Sequence, residues 1–217
     1  MNRLFNMDNG LFRGISKLVD CIWLSFIFII TCIPIFTVGA SLTALYYTVQ
    51  KSLKNDRGYI GSEYWHAFKT NFKQSTIAWL IVLIVGIVFS WDLRIMRALD
   101  AAGNPLGKVY VLFGVLLALE MIWASYLFPY IARFENNLRS IMKNAALMAI
   151  LNLPKTIIIF IYLVVTGVIL YVMPIAILLM PSVFTWMQNL TLEKIFRKYM
   201  TDEDRETEDE LNREYKN

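Results

Sequence analysis

The sequence predicts an all-α, polytopic membrane helix bundle of six spans with both termini in the cytoplasm. Three observations predict it. The 217 residues are 57% hydrophobic with a mean hydropathy of +0.51, above the roughly 45–50% apolar content of soluble domains. Several apolar runs approach the roughly 20 residues that cross a hydrocarbon core of about 30 Å. Lys and Arg gather beside those runs, where the positive-inside rule orients them.

The first 17 residues set Leu4, Phe5, Leu11, Phe12 and Ile15 among Arg3, Arg13 and Lys17, a pattern for a short interfacial helix. The first span, about 18–33, follows with Trp23 near its start. It reads as a span rather than a cleaved signal, because Asp8 and Asp20 interrupt the basic segment and the apolar run outlasts an ordinary signal core. Cys21 and Cys32 stand about 16 Å apart on that helix, too far for a disulfide, and read as small packing residues.

Pro34 and Gly39 then interrupt the apolar run. A second span, about 39–54, opens with small residues (Gly39, Ala40, Ser41, Thr43, Ala44) that permit close helix contact. Its 15 or so residues reach only about 22 Å. Asn55-Asp56-Arg57-Gly58 marks a turn. Residues 62–74 place Trp65, Phe68 and Phe72 on one helical face and Lys69 and Lys73 on another, an interfacial amphipathic helix leading into a third span, about 75–91.

A polar loop is expected from Asp92 to Lys108, where Gly103-Asn104-Pro105 breaks helix. The fourth span, about 108–131, ends at Phe128-Pro129-Tyr130. A second amphipathic helix, about 136–152, carries Arg139 and Lys143. No charge occurs from Thr156 to Leu190. One helix that long would measure about 50 Å, so two spans, about 155–172 and 174–192, are expected to fold at Val172-Met173-Pro174. Residues 1–200 make the membrane domain. The acidic stretch 201–217 reads as a solvated, disordered cytoplasmic tail. A faint repeat relates Asn71-Phe-Lys-Gln-Ser75 to Asn152-Leu-Pro-Lys-Thr156.

The break at Pro34–Gly39 decides the topology. If it only kinks one helix, there are five spans and the N-terminus lies outside with Arg3, Arg13 and Lys17. If it is a hairpin, those charges move to the cytoplasm and only Arg94, Arg97 and Lys108 stay outside. The positive-inside rule favours the hairpin.

Glu120 is the one ionisable residue deep in an expected span. A carboxylate in hydrocarbon is costly, so it faces the bundle interior, water or a partner, or else is protonated as a neutral structural acid; the functional reading is a proton or substrate relay. The 33–41 break should lie at a similar depth, with Thr31, Thr37 and Ser41 supplying hydroxyls. Broken helices of this kind bind substrates in some transporters, and a tight connector gives the same sequence. The chain has a single His, His66, and lacks both a Cys/His ligand pattern and a Gly-rich phosphate loop. The reading is of no enzyme and no cofactor. Nor do the basic residues carry an RNA motif, so nucleic acid is not an expected partner; the lipid bilayer is.

Pro34-Ile-Phe-Thr37-Val-Gly39-Ala-Ser-Leu-Thr-Ala44-Leu-Tyr46, Ala67-Phe68-Lys69-Thr-Asn71-Phe72-Lys73-Gln74, Phe128-Pro129-Tyr130-Ile-Ala-Arg133-Phe134, Leu138-Arg-Ser-Ile-Met-Lys143-Asn144-Ala145 and Leu153-Pro154-Lys155-Thr156 together resemble the YesL-type family of bacterial integral membrane proteins. The resemblance covers roughly residues 10–200. It implies a domain of unknown function, often encoded beside carbohydrate-utilisation genes that include ABC sugar transporter components and glycoside hydrolases. No site residues are established for that family, so none carries over.

The expectation is a plasma-membrane accessory of an ABC sugar permease, docking through the face of Trp65, Phe68, Phe72, Lys69 and Lys73. One alternative is a small transporter using Glu120 and the 33–41 turn. Another is a membrane scaffold or sensor that recruits a protein through its acidic tail.

Overall fold

Pro34 has no amide hydrogen to continue a helix, and the chain turns there. A computed structural model describes residues 10–55 and 57–214; most of the interfacial helix expected over residues 1–17 lies outside them. Helix α1 (Gly10–Cys32) ends before a short 3-10 turn (Ile35–Thr37), and α2 (Val38–Thr48) runs on into a π-helical stretch, Val49–Lys54. The Lys17 ammonium donates to the Leu53 carbonyl at 3.1 Å, so the two ends of the pair lie side by side. The break at Pro34–Gly39 is therefore a hairpin and not a kink.

Small side chains let α2 sit deep in the bundle. Gly39 is pressed against the Ser75 carbonyl and the Trp79 Cβ, and Ala40, Ala44, Leu45 and Val49 are fully enclosed. The sequence expects a span of about 39–54 whose small residues allow close helix contact, and the structure has a short helix wrapped by its neighbours.

Helix α3 spans Ile60–Ala101, 42 residues without a break. It fuses three elements expected to be separate: the amphipathic helix 62–74, the span 75–91, and most of the loop 92–108. Nothing between Gln74 and Ser75 stops a helix, and Asp92–Ala101 is built from good helix formers. The stop comes only at Gly103, in the left-handed region at φ +80°. Asn104 then accepts a hydrogen bond from the Leu106 amide.

A 3-10 turn (Pro105–Val109) leads to α4 (Tyr110–Arg133), which returns along α3. Gly107 lies against Asp100, Phe89 meets Phe113, and Trp79 meets Phe128, so the two helices stay in register along the hairpin.

Helix α5 (Leu138–Leu151) is separated from α6 (Leu153–Val172) by Asn152 and Pro154. After a 3-10 turn (Pro174–Leu178), α7 runs from Met180 to Tyr199. The two motifs of the faint repeat make matching bonds. Asn71 and Asn152 each donate to the carbonyl four residues back. Ser75 and Thr156 each meet another buried hydroxyl, Thr43 and Tyr126.

The acidic tail differs from its expectation. Asp202–Glu214 is a helix, α8, with Glu208 buried. Thr201 starts it as a cap, accepting from the Asp204 amide, and three acids occupy its first turn, where the helix dipole favours them.

Among the described residues, four helical stretches are long and apolar enough to cross a membrane: Gly14–Cys32, Ile60–Ala101, Pro105–Arg133 and Leu153–Val172. The expected spans 39–54 and 174–192 are not among them. The first is short and enclosed. The second starts as a 3-10 turn, and its helix carries buried Thr185, Gln188 and Asn189. No strand occurs among the described residues.

Candidate functional site

The hairpin hydroxyls close on themselves. Thr37 donates to the carbonyls of Thr31 and Pro34, and Ser41 donates to the Thr37 carbonyl. Thr31 bonds to the carbonyls of Ile27 and Phe28, and its oxygen lies 2.6 Å from the Tyr64 hydroxyl. All three are buried. With their donors spent on nearby backbone, these groups brace the turn. Glu120 is not among their hydrogen-bond partners.

Glu120 lies elsewhere, between α3 and α4. A half-open groove of about 540 Å³ is lined there by residues of those two helices alone, among them Trp79, Gly86, Trp91 and Arg94. Glu120 is only 8% exposed. Its Oε1 is buried with no hydrogen-bond partner among the described residues. Gly86 faces it, and the side chain that any other residue would bear there would come within 3.3 Å of Oε2.

Trp79 links the two regions. Its indole N–H donates to the Ile35 carbonyl in the hairpin at 2.7 Å, and its ring forms part of the Glu120 groove. Trp79, Met121 and Ala124 also wall a second cavity of about 220 Å³ that reaches Tyr46, Thr185 and Gln188. The two cavities are neighbours across those three side chains.

Behind Tyr46 sits a cluster not expected from the sequence. Tyr46 donates to Glu193 Oε1 at 3.0 Å. Arg133 Nη2 reaches Glu193 Oε2 at 2.9 Å and Glu208 Oε2 at 2.8 Å. Gln50 bonds to Glu208, and Lys54 bonds to Gln50. Helices α2, α4, α7 and α8 meet at these groups. Burial pushes the Glu193 carboxyl above the ordinary carboxylate range, against the pull of Arg133, Lys54 and the Tyr46 hydroxyl. The signal available in sequence was phase: Glu193 falls in helical step with Asn189 and Phe196, both of which are fully buried.

The expected docking face opens α3. Trp65 is 44% exposed, Lys69 and Lys73 are exposed, and Phe68 and Phe72 are partly buried. The aromatic rings form a ladder: Trp65 to Phe68 at 5.6 Å, and Phe68 to Phe72 at 5.5 Å between centroids. Gln74 donates to the Asn136 carbonyl at 2.7 Å. That bond ties this stretch to the start of α5, where Arg139 and Lys143 are exposed.

Residues 18–93 match a family model described as "Protein of unknown function, DUF624". The matched stretch holds most of the α1–α2 hairpin and α3 through the Glu120 groove's far wall. No curated protein and no solved structure matches the chain.

Proposed function

We propose that this chain is a non-enzymatic, multi-pass protein of the bacterial plasma membrane, of YesL type, that assists carbohydrate uptake as an accessory of an ABC sugar permease. The observation that carries the reading is the aromatic and basic face of Trp65, Lys69 and Lys73, set beside Arg139 and Lys143. A large exposed aromatic among cations is the composition of a docking surface more than of a solvated one. Six crossings with both termini cytoplasmic would turn that face toward the cytoplasmic loops of a permease; the reversal of the chain at the α1–α2 hairpin is what that arrangement requires of this segment. A photo-crosslinking residue at Trp65, with the neighbouring permease co-expressed, tests it. The expected result is a cross-linked permease subunit, lost on Lys69→Glu with Lys73→Glu. Cross-links to lipid alone would refute the reading.

A second reading, a small transporter, is favoured by one observation: the Glu120 groove and the Tyr46 cavity share the wall of Trp79, Met121 and Ala124. Rotation of those side chains would join the membrane-facing groove to the Arg133–Glu193 cluster. The 33–41 turn then serves as a brace through Trp79 and not as a binding site. Uptake that survives Glu120→Gln unchanged would sink this reading.

A further inference from the structure

We propose that the Glu120 groove binds a lipophilic cation, a bulky apolar body bearing one delocalised or quaternary positive charge, with Glu120 as its counter-ion. The proposal deepens the transporter reading by naming a ligand class. Binding is measured on the purified chain without transport, so either can fail alone.

The carboxylate supplies the first half of the argument. It is more than nine-tenths buried and lines the groove, and its Oε1 accepts no hydrogen bond among the described residues. An ionised carboxylate with no cationic partner in a low-dielectric site is unfavourable, and an entering cation removes that cost. Arg94, the one basic residue on the wall, stands at the far end, about 12 Å along α3 from Gly86.

The rest of the wall selects the ligand's body. Val82, Leu83, Ile87 and Leu117 are apolar, and Trp79 and Trp91 add aromatic rings, whose faces attract cations. Apart from Glu120, Ser90 supplies the only side-chain oxygen on the wall. A sugar would leave its hydroxyls unpaired there, and a small hydrated metal ion would lack ligands. The volume, about 540 Å³, falls in the range of roughly 300–1,000 Å³ typical of small-molecule sites. Gly86 adds a steric requirement, because a Cβ there would lie 3.3 and 3.4 Å from the two carboxylate oxygens. Glycine keeps the space opposite Glu120 open.

Equilibrium dialysis of tetraphenylphosphonium against the full chain in detergent micelles tests the proposal, with tryptophan fluorescence as a second readout. Saturable binding is expected, weakened roughly tenfold or more by Glu120→Gln, as removal of one member of a desolvated charge pair requires. Tetraphenylborate, nearly the same shape with the opposite charge, should not compete. Gly86→Val fills the groove from the opposite wall and gives an independent variant should Glu120→Gln fail to fold; it too should weaken binding. Absence of saturable binding, full affinity in a folded Glu120→Gln or Gly86→Val variant, or equal binding of tetraphenylborate would overturn the proposal.

Discussion

Arg133 and Glu208 stand 75 residues apart in the chain and meet at 2.8 Å through a guanidinium nitrogen that also serves Glu193. One cation thus holds two acids from two different helices. Removing it leaves both carboxylates facing each other in a buried site. Arg133→Ala should lower stability by about 3–5 kcal/mol, read by chemical denaturation in micelles. A triple variant with Met at 133 and Gln at 193 and 208 should recover part of that loss, since neither acid is then charged; Lys54, partly buried beside them, loses its acidic neighbours.

The same contact predicts how α8 is attached. Glu208→Gln should speed proteolytic cleavage between residues 200 and 214, because the buried pair to Arg133 is the helix's deepest anchor. Arg197 pairs with Asp209 at 2.7 Å, but both side chains are more than 40% exposed. Pairs of that kind contribute little. Arg197→Ala should therefore leave the cleavage rate near that of the parent chain.

Gly39 sits where α2 and α3 touch backbone to side chain. A methyl group there would collide with the Ser75 carbonyl and with Trp79. Gly39→Ala should cost about 1–3 kcal/mol and reduce the yield of folded protein on size-exclusion chromatography, whereas Gly14→Ala, with open space around it, should not.

Thr37 donates to two carbonyls of the turn. Thr37→Val keeps the shape and removes the donor, at an expected cost of about 1 kcal/mol. Melting temperature should fall, and tetraphenylphosphonium affinity should not change. A matching loss of affinity would return the hairpin hydroxyls to the binding site.

Topology can be read by cysteine labelling after Cys21 and Cys32 are replaced. Thr37 is a poor reporter because it is buried; Ile35 in the same turn is 66% exposed. Single cysteines at Ser16, Ile35 and Asn104 should divide, with Ile35 and Asn104 labelled from outside and Ser16 protected, if the chain crosses six times. Labelling of Ser16 from outside would favour five.

Helix identity was legible wherever an apolar run was long, as in α1, α4 and α6. Boundaries failed where no residue enforced them. The stretch from Glu63 to Ala101 changes character from amphipathic to apolar to polar, yet every step is compatible with helix, so one element forms where three were expected. Hydropathy alone also cannot tell a helix enclosed by protein from one enclosed by lipid. Residues 39–54 belong to the first kind, and the small residues at Gly39, Ala40 and Ala44 were the available hint. At the candidate site, the isolation of Glu120 could be read directly, because a lone acid in an apolar run is conspicuous. The Arg133–Glu193–Glu208 cluster could not be, because its members come from three distant helices and each sits beside ordinary terminal charges. Composition likewise marked residues 201–217 as solvated, and the tertiary bonds of Glu208 to Arg133 and Gln50 are what seat α8.

An uninterrupted α3 has a mechanical consequence. Its 42 residues measure about 63 Å, twice the hydrocarbon thickness, and they connect the aromatic ladder at Trp65 to the tip at Asp100 as a single rod. A tilt of about 10° around its middle would displace each end by about 5 Å in opposite directions. Force applied to the Trp65 end would thus arrive at the far tip undiminished, and the wall of the Glu120 groove lies along the way.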